Sequence, residues 1–418
     1  CTNVLAVLDA VERKRRLLID GKGPALLDVE CYRHCGHSTT DASAYRSREE
    51  MENWKQHDPI DLFEQRLIDS GVASASDLEN QRVRITDRMQ LVVNAAIDPD
   101  ICPSVDIYTN PTLIGDLMFS DNPLPTPSNP APLLAPIEKA APVRQIARKA
   151  RFGLDADNKP LSPMRAITLR DGLFESILHH MTHDEDLIAY GEECREWGGA
   201  FGVYRGLADI LPHDRLFNSP ISEAAIVATA VGYAMAGGRS LVELMYGDFI
   251  GRAGDEIFNQ MSKWQAMSGG ILEMPMVLRC SIGSKYGAQH SQDWTAMTTH
   301  VPGLKVVYPA TPFDAKGLMA SALSSSDPVV FFESQRLYDT VEQFATDGVP
   351  QDYYRIALGE PDIKRRGEHV TVLTIGPSLY SALKAADELS SSFGIEAEII
   401  DARTLVPFNY EPVVRSLA

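Results

Sequence analysis

The chain has 418 residues, 44% of them hydrophobic and 23% charged, with a formal net charge of −18. That length suits roughly two to four domains with ample cores. The acidic balance speaks against nucleic acid as a partner, because phosphate neutralisation needs clustered Lys and Arg. No apolar run reaches the ~20 residues that span a bilayer.

In chain order, NVLAVLDAVERKRRLL predicts a helix over about 4–18, its basic run at 12–18 forming a solvated face. A buried strand is expected over 24–32, PALLDVECY. It leads into CYRHCGHSTTDASAYRS, Cys31 to Ser47, with two histidines, two cysteines and seven hydroxyl side chains in seventeen residues. Zinc is disfavoured, because structural sites usually pair ligands from two separated clusters. Here Cys31, His34, Cys35 and His37 all fall within seven residues. The residues alone leave both a plain polar loop and a functional loop open. Polar helices follow over 47–56, 58–71 and 74–97, with Asp58-Pro59 as an N-cap and first-turn proline.

From about 98 to 165 the texture changes. Twelve of the 26 prolines lie there, which predicts a semi-rigid interdomain connector. A second run then opens with Thr168 capping the helix TLRDGLFESILHHM. Strand DLIAYGEE, helix SEAAIVATAVGYAMAGG, strand RSLVELMY and helix GDEIFNQMSKWQAMSGG come next, then strands MPMVLRCSI, LKVVYPA and PVVFFES. Short apolar strands alternating with helices indicate an α/β fold, a parallel sheet covered on both faces. After a polar break near 340–368, HVTVLTIG, PSLYSALKAADELSS and AEIIDARTL begin a third α/β unit. The six scattered cysteines fit reduced thiols of an intracellular protein. Both ends read as cut, since the chain opens with Cys1 in a helical pattern and closes on PVVRSLA within an amphipathic one.

Three segments carry candidate chemistry. Glu223 sits where a loop becomes a long apolar helix. It is either a first-turn carboxylate favoured by the helix dipole or a carboxyl at the edge of a dry cavity, placed to share a proton. His290 lies in the loop SIGSKYGAQHSQDW after a strand, where doubly wound sheets bind ligands. It is either an acid-base imidazole or a plain loop histidine. His179, His180 and His183 close a helix without the glutamate of a metalloprotease motif and read as structural.

Several long motifs in order resemble the thiamine diphosphate-dependent decarboxylase component of 2-oxo acid dehydrogenase complexes, with alpha and beta subunits fused. GPALLDVECYRHCGHSTTDASAYRSREEM is similar to the alpha subunit's active-site loop. GEECREWGGAFGVYRGL, SPISEAAIVATAVGYAMAG, GAQHSQ and VPGLKVVYPATPFDAKGLMASAL are similar to the beta subunit's pyrimidine-binding domain. TVLTIG and EIIDARTLVPF resemble the opening of its C-terminal domain.

The resemblance implies a thiamine diphosphate-binding fold of parallel sheets flanked by helices, plus the start of a transketolase C-terminal-like domain. Residues 1–97 would be the end of the alpha-like domain, 98–165 the connector, 166–345 the pyrimidine-binding domain and 346–418 the C-terminal start. Glu223 matches the glutamate that hydrogen-bonds the cofactor's aminopyrimidine, and Phe249 the aromatic residue packed on that ring. Glu192 matches an acidic residue of a proton relay. His290 matches the beta-subunit histidine near the reacting carbon, and His37 the alpha-loop histidine, with Ser38, Arg33 and Tyr45 ordering the loop. The family's GDG motif for magnesium and diphosphate does not occur in these 418 residues.

The implied activity is oxidative decarboxylation of a 2-oxo acid, with HSTTDASAYRS leaning toward a branched-chain substrate over pyruvate. The acyl unit would pass to a lipoyl-bearing acyltransferase partner, in a cytoplasmic homo-oligomer of bacterial type. Two alternatives stand beside it: a carboligase or acetoin- or diketone-cleaving enzyme using the same cofactor, and a non-catalytic scaffold.

Overall fold

The computed structural model describes residues 2–124, 130–283 and 286–417. It divides into two compact units, Cys1–Asp106 and Ile107–Ala418. The first is helical. Helices α1 (Val4–Ile19), α2 (Arg48–Lys55), α3 (Pro59–Asp69) and α4 (Ala75–Ile97) start where side chains replace the missing backbone acceptors. Asn3 and Ser47 accept from Ala6 N and Glu50 N, Asp58 caps α3 ahead of Pro59, and Ser74 with Asp77 forms a capping box on α4. The strand expected over 24–32 is absent: those residues are irregular and Leu26 is 86% exposed. A strand needs a neighbour to satisfy its backbone, and none lies beside it among the described residues. Ser43 is the one buried residue described in this unit.

The second unit begins with two short helices, α5 (Leu113–Met118) and α6 (Ala141–Ile146), then α7 (Leu169–His183), which Thr168 and Asp171 start with a capping box. Its main sheet contains β1 (Leu187–Gly191), β2 (Leu216–Asn218), β3 (Arg239–Leu244), β4 (Met276–Ile282), β5 (Lys305–Val307) and β6 (Val329–Ser334). The order is β5-β6-β4-β3-β1-β2 and every pairing is parallel. Successive residues point to opposite faces, so Val277 and Phe331 join one core and Leu278 and Phe332 the other. The crossover helices α8 (Glu223–Met235), α9 (Ser262–Met267), α10 (Thr295–Thr299) and α11 (Pro312–Leu323) divide accordingly. Leu173 and Ile177 of α7 and Leu318 and Met319 of α11 fill the first core; Ile226 and Ala230 of α8 fill the second. A wide π turn, Glu256–Met261, feeds into α9.

A smaller sheet follows, β7 (Asp362–Arg365), β8 (Val370–Thr374) and β9 (Ala397–Asp401) in the order β7-β9-β8, with α12 (Ser378–Phe393) against it. Strand β10 (Thr404–Val406) then leaves it and pairs antiparallel with β5 at the edge of the main sheet. The final helix is α13 (Glu411–Leu417). Much of the proline-rich stretch belongs to this unit rather than spanning open space. Ala131 N and Leu134 N donate to Thr182 O and Ile210 O at 3.0 and 2.8 Å, and Ala140 and Ile146 are buried in the first core. Proline removes donors but not apolar surface, and that surface finds a core.

Candidate active site

The carboxyl ends of the central strands gather the second unit's candidate residues, as expected where a parallel sheet meets its loops. Glu192 follows β1, Tyr246 and Phe249 follow β3, and His290 lies on the loop after β4. Glu223 is the first residue of α8, and α8 packs on the turns 247–253 that carry Phe249.

Glu223 is only 9% exposed, yet its carboxyl has no hydrogen-bond or ion-pair partner among the described residues. A buried carboxyl is tolerable at a helix N-terminus, where the peptide dipoles favour negative charge. Its neighbour Glu192 is also 9% exposed. Burial first, then the charges of Glu223 and Glu243, hold the Glu192 carboxyl above the usual range. A carboxyl raised by burial and by neighbouring negative charge, as Glu192 is, is suited to holding a proton.

The loops after β3 and β4 carry an aromatic group. The His290 ring lies 4.4 Å from Tyr246 and 5.8 Å, edge to face, from Phe249, centroid to centroid. The loop bearing His290 is pinned on two sides: Gln335 Nε2 donates to His290 O at 2.8 Å, and Gln292 N donates to Asp248 Oδ2 at 3.2 Å. Part of that loop, residues 284–285, lies outside the described residues.

Sequence reading missed the group beneath. Arg279 on β4 donates to Glu243 on β3 at 2.6 Å and forks onto both Glu333 oxygens on β6 at 2.7 Å. All three are buried. The signal was present: RSLVELMY, MPMVLRCSI and PVVFFES each carry a charge amid apolar residues, and such a residue survives burial only if paired.

The first unit holds the other candidates, all exposed. Arg33 Nη2 donates to His37 O at 2.9 Å, and its other terminal nitrogen lies 3.4 Å from His37 Nδ1. Tyr45 does not meet His37; its hydroxyl donates to Asp41 at 2.8 Å, and Ser38 pairs with Thr40 at 3.2 Å. The organiser is Asp41, absent from the sequence reading, which also accepts from His37 N and Ser43 N at 2.7 and 2.8 Å. An Asp accepting from its own loop is a common turn device, but which of several polar residues does so is not visible in composition.

No group of three or more His, Cys, Asp and Glu among the described residues could hold a metal ion. His179 stacks between His183 and Tyr353 at 4.2 and 4.1 Å. Burial pushes His179 and His180 down to about 4 and about 3, so both are neutral at pH 7. His179 and His183 border a cavity of about 490 Å³ beside α6, α7 and α11, lined by neither Glu223 nor His290. No described helix is long and apolar enough to cross a membrane.

Comparison with known proteins matches three family models. Residues 165–340 match the transketolase pyrimidine-binding domain, residues 1–99 the dehydrogenase E1 component and residues 359–418 the transketolase C-terminal domain. The beta subunit of the acetoin:2,6-dichlorophenolindophenol oxidoreductase of Cupriavidus necator is 41% identical over 266 residues, 60% of this chain and 76% of its own. The pyruvate dehydrogenase E1 component subunit beta of Bacillus subtilis is 33% identical over 256 residues, 61% of this chain and 77% of its own. The 2-oxoisovalerate dehydrogenase subunit beta of the same species is 34% identical over 255 residues, 60% of this chain and 76% of its own. A solved split-gene transketolase, described as an inactive beta4 tetramer, aligns with a TM-score of 0.49 at 20% identity, over 60% of this chain and 76% of its own.

Proposed function

Because the chain belongs to the thiamine diphosphate-dependent 2-oxo acid dehydrogenase E1 family, we propose that it decarboxylates a 2-oxo acid and passes the acyl unit to the lipoyl arm of an acyltransferase. The observation that carries this reading is Glu223: a buried carboxyl with no partner among the described residues, at a helix N-terminus packed on the turn that holds Phe249. A carboxyl so placed fits an aminopyrimidine whose ring nitrogen can take its proton. Bound there, thiamine diphosphate supplies the carbon nucleophile and the electron sink.

The chain's own residues supply the rest. Glu223 holds a ring-nitrogen proton, and Glu192 shares the acidic neighbourhood in which that proton is kept. Phe249 offers an apolar face to a flat ring. His290, held by Gln335, presents its imidazole to the donor's carbonyl oxygen. His37 is proposed as the acid-base group for acyl delivery, with Arg33, Ser38 and Tyr45 ordering its loop. The described residues contain no cluster suited to magnesium, so no step is assigned to it.

The test uses the full gene product with cofactor, magnesium and a lipoyl domain. Pyruvate or 2-oxoisovalerate should release carbon dioxide and leave an acyl group on the lipoyl domain, seen by mass. The oxidoreductase relative at 41% identity favours one rival, cleavage of acetoin. Acetaldehyde release from acetoin, with no carbon dioxide from any 2-oxo acid, would select that rival. Failure to bind thiamine diphosphate by titration would leave only the scaffold. The relatives are named as subunits, and assembly of this chain with copies of itself is proposed, to be read by sedimentation.

A further inference from the structure

The loop from β1 to β2 passes over the buried charges. Glu193, Gly198, Gly199, Gly202 and Gly206 all adopt positive φ along it. Gly199 is required by a close approach: a Cβ there would lie 2.6 Å from Glu243 Oε1. The same oxygen accepts from Ala200 N at 2.8 Å. The next residue, Phe201, stacks on Tyr338 at 4.6 Å and 16°, and the Tyr338 hydroxyl donates to Glu333 Oε2 at 2.7 Å.

Phe201 is therefore held twice by one network. Its backbone hangs from Glu243 through Ala200, its ring rests on Glu333 through Tyr338, and both carboxylates close on Arg279. Phe201 also lies 5.9 Å from Tyr246 and 5.9 Å from Tyr286, and Tyr246 is the ring 4.4 Å from His290. Three buried charges in a sheet are a costly way to hold a loop, and removing one partner costs more than the pair contributes. Such an arrangement fixes position rather than adding stability.

We propose that Phe201 is a specificity-determining wall on the side of Tyr246 and His290, limiting the size of the donor's side chain, and that Glu243 is its positioning residue. This rests on the reaction proposed above. A ring held at both ends cannot swing aside for a larger donor, and one methylene too many in a closed apolar space costs on the order of 10-fold or more in kcat/KM.

Two measurements test it on the full gene product. The first compares kcat/KM for 2-oxo acids of three, four and five carbons in wild type, Phe201→Leu and Phe201→Ala. The five- to three-carbon ratio should rise on the order of 10-fold in Phe201→Ala, with Phe201→Leu between. A ratio unmoved by either substitution overturns the wall. A wild type that turns over no donor contradicts the proposed reaction itself, a distinguishable result. The second needs no turnover: hydrogen exchange in the cofactor-free protein. Glu243→Ala should speed exchange across 198–204 on the order of 10-fold while α8 keeps its protection. Glu243→Gln, which retains an acceptor for Ala200 N, should restore most of it. Unchanged exchange in Glu243→Ala overturns the positioning role. If Glu243→Ala does not fold, Glu243→Gln decides: a loop protected as in wild type supports the role, and one as loose as a short peptide overturns it.

Discussion

Glu192 shows how a single carboxyl couples site chemistry to stability. An acid raised on folding binds its proton more tightly folded than unfolded. Its contribution is then full below the unfolded value and is lost as pH rises through the folded one. Glu192→Gln cannot ionise, so it should melt with wild type at about pH 4 and above it at about pH 8; an equal gap at both would mean the charge is not the cause. Asp41 acts through geometry instead. Donors from His37, Ser43 and Tyr45 hold its carboxyl below the usual range, and Asp41→Ala should raise amide exchange at His37 and Ser43, whereas unchanged protection would show that the loop orders itself without that carboxylate. His37→Ala should impair lipoyl acylation more than the fold, measured by single-turnover transfer beside circular dichroism. Full transfer would remove His37 from the reaction.

At the scale of elements, local chemistry explains why the helices were legible. Asp58-Pro59, Ser74 with Asp77 and Thr168 with Asp171 are start signals that need nothing distant, and Thr168→Ala should cost about 1 kcal/mol in urea unfolding. Strands were most legible where the run was apolar enough to be buried on both faces, as in MPMVLRCSI. The run at 24–32 looked equally apolar but has no partner strand among the described residues. Strand β7, DIKR, gave no signal because its residues are polar and half-buried at an edge. The charges within the central strands form the strongest element-level claim. Arg279→Met strands Glu243 and Glu333 without a counter-charge and should cost roughly 3–5 kcal/mol in urea unfolding; a loss below about 1 kcal/mol would mean water already reaches the network.

Over the larger unit as a whole, the two sheets are joined by charges from distant parts of the chain. Asp314, which starts α11, receives Lys364 of β7 at 2.6 Å and Arg403 at 2.9 Å, with Asp362 beside Lys364. Asp401 lies in the same cluster, and burial, then the charge of Asp314, pushes it up to about 7 against the pull of Lys364 and Arg403. By the same sign rule Asp401's own contribution is full in acid and weakens as pH rises toward about 7, whereas Asp314, held low against burial by Lys364 and Arg403, contributes while ionised and loses its contribution in acid. Asp401→Asn should flatten that slope in thermal unfolding across this range; an unaltered slope would move the titrating group elsewhere. None of this was legible, because a contact between residues 314 and 403 leaves no local trace. The order of motifs was legible, and through it the catalytic candidates of the second unit. The buried network of Glu243, Arg279 and Glu333 was hidden, since its three charges lie in three different strands far apart in the chain.

The central claim, that the carboxyl of residue 223 activates thiamine diphosphate, meets its most direct test in one rate. In the full gene product, exchange of the cofactor's thiazolium proton for deuterium should fall on the order of 100-fold or more in Glu223→Gln, with cofactor still bound. Exchange at the wild-type rate in that variant would contradict the account.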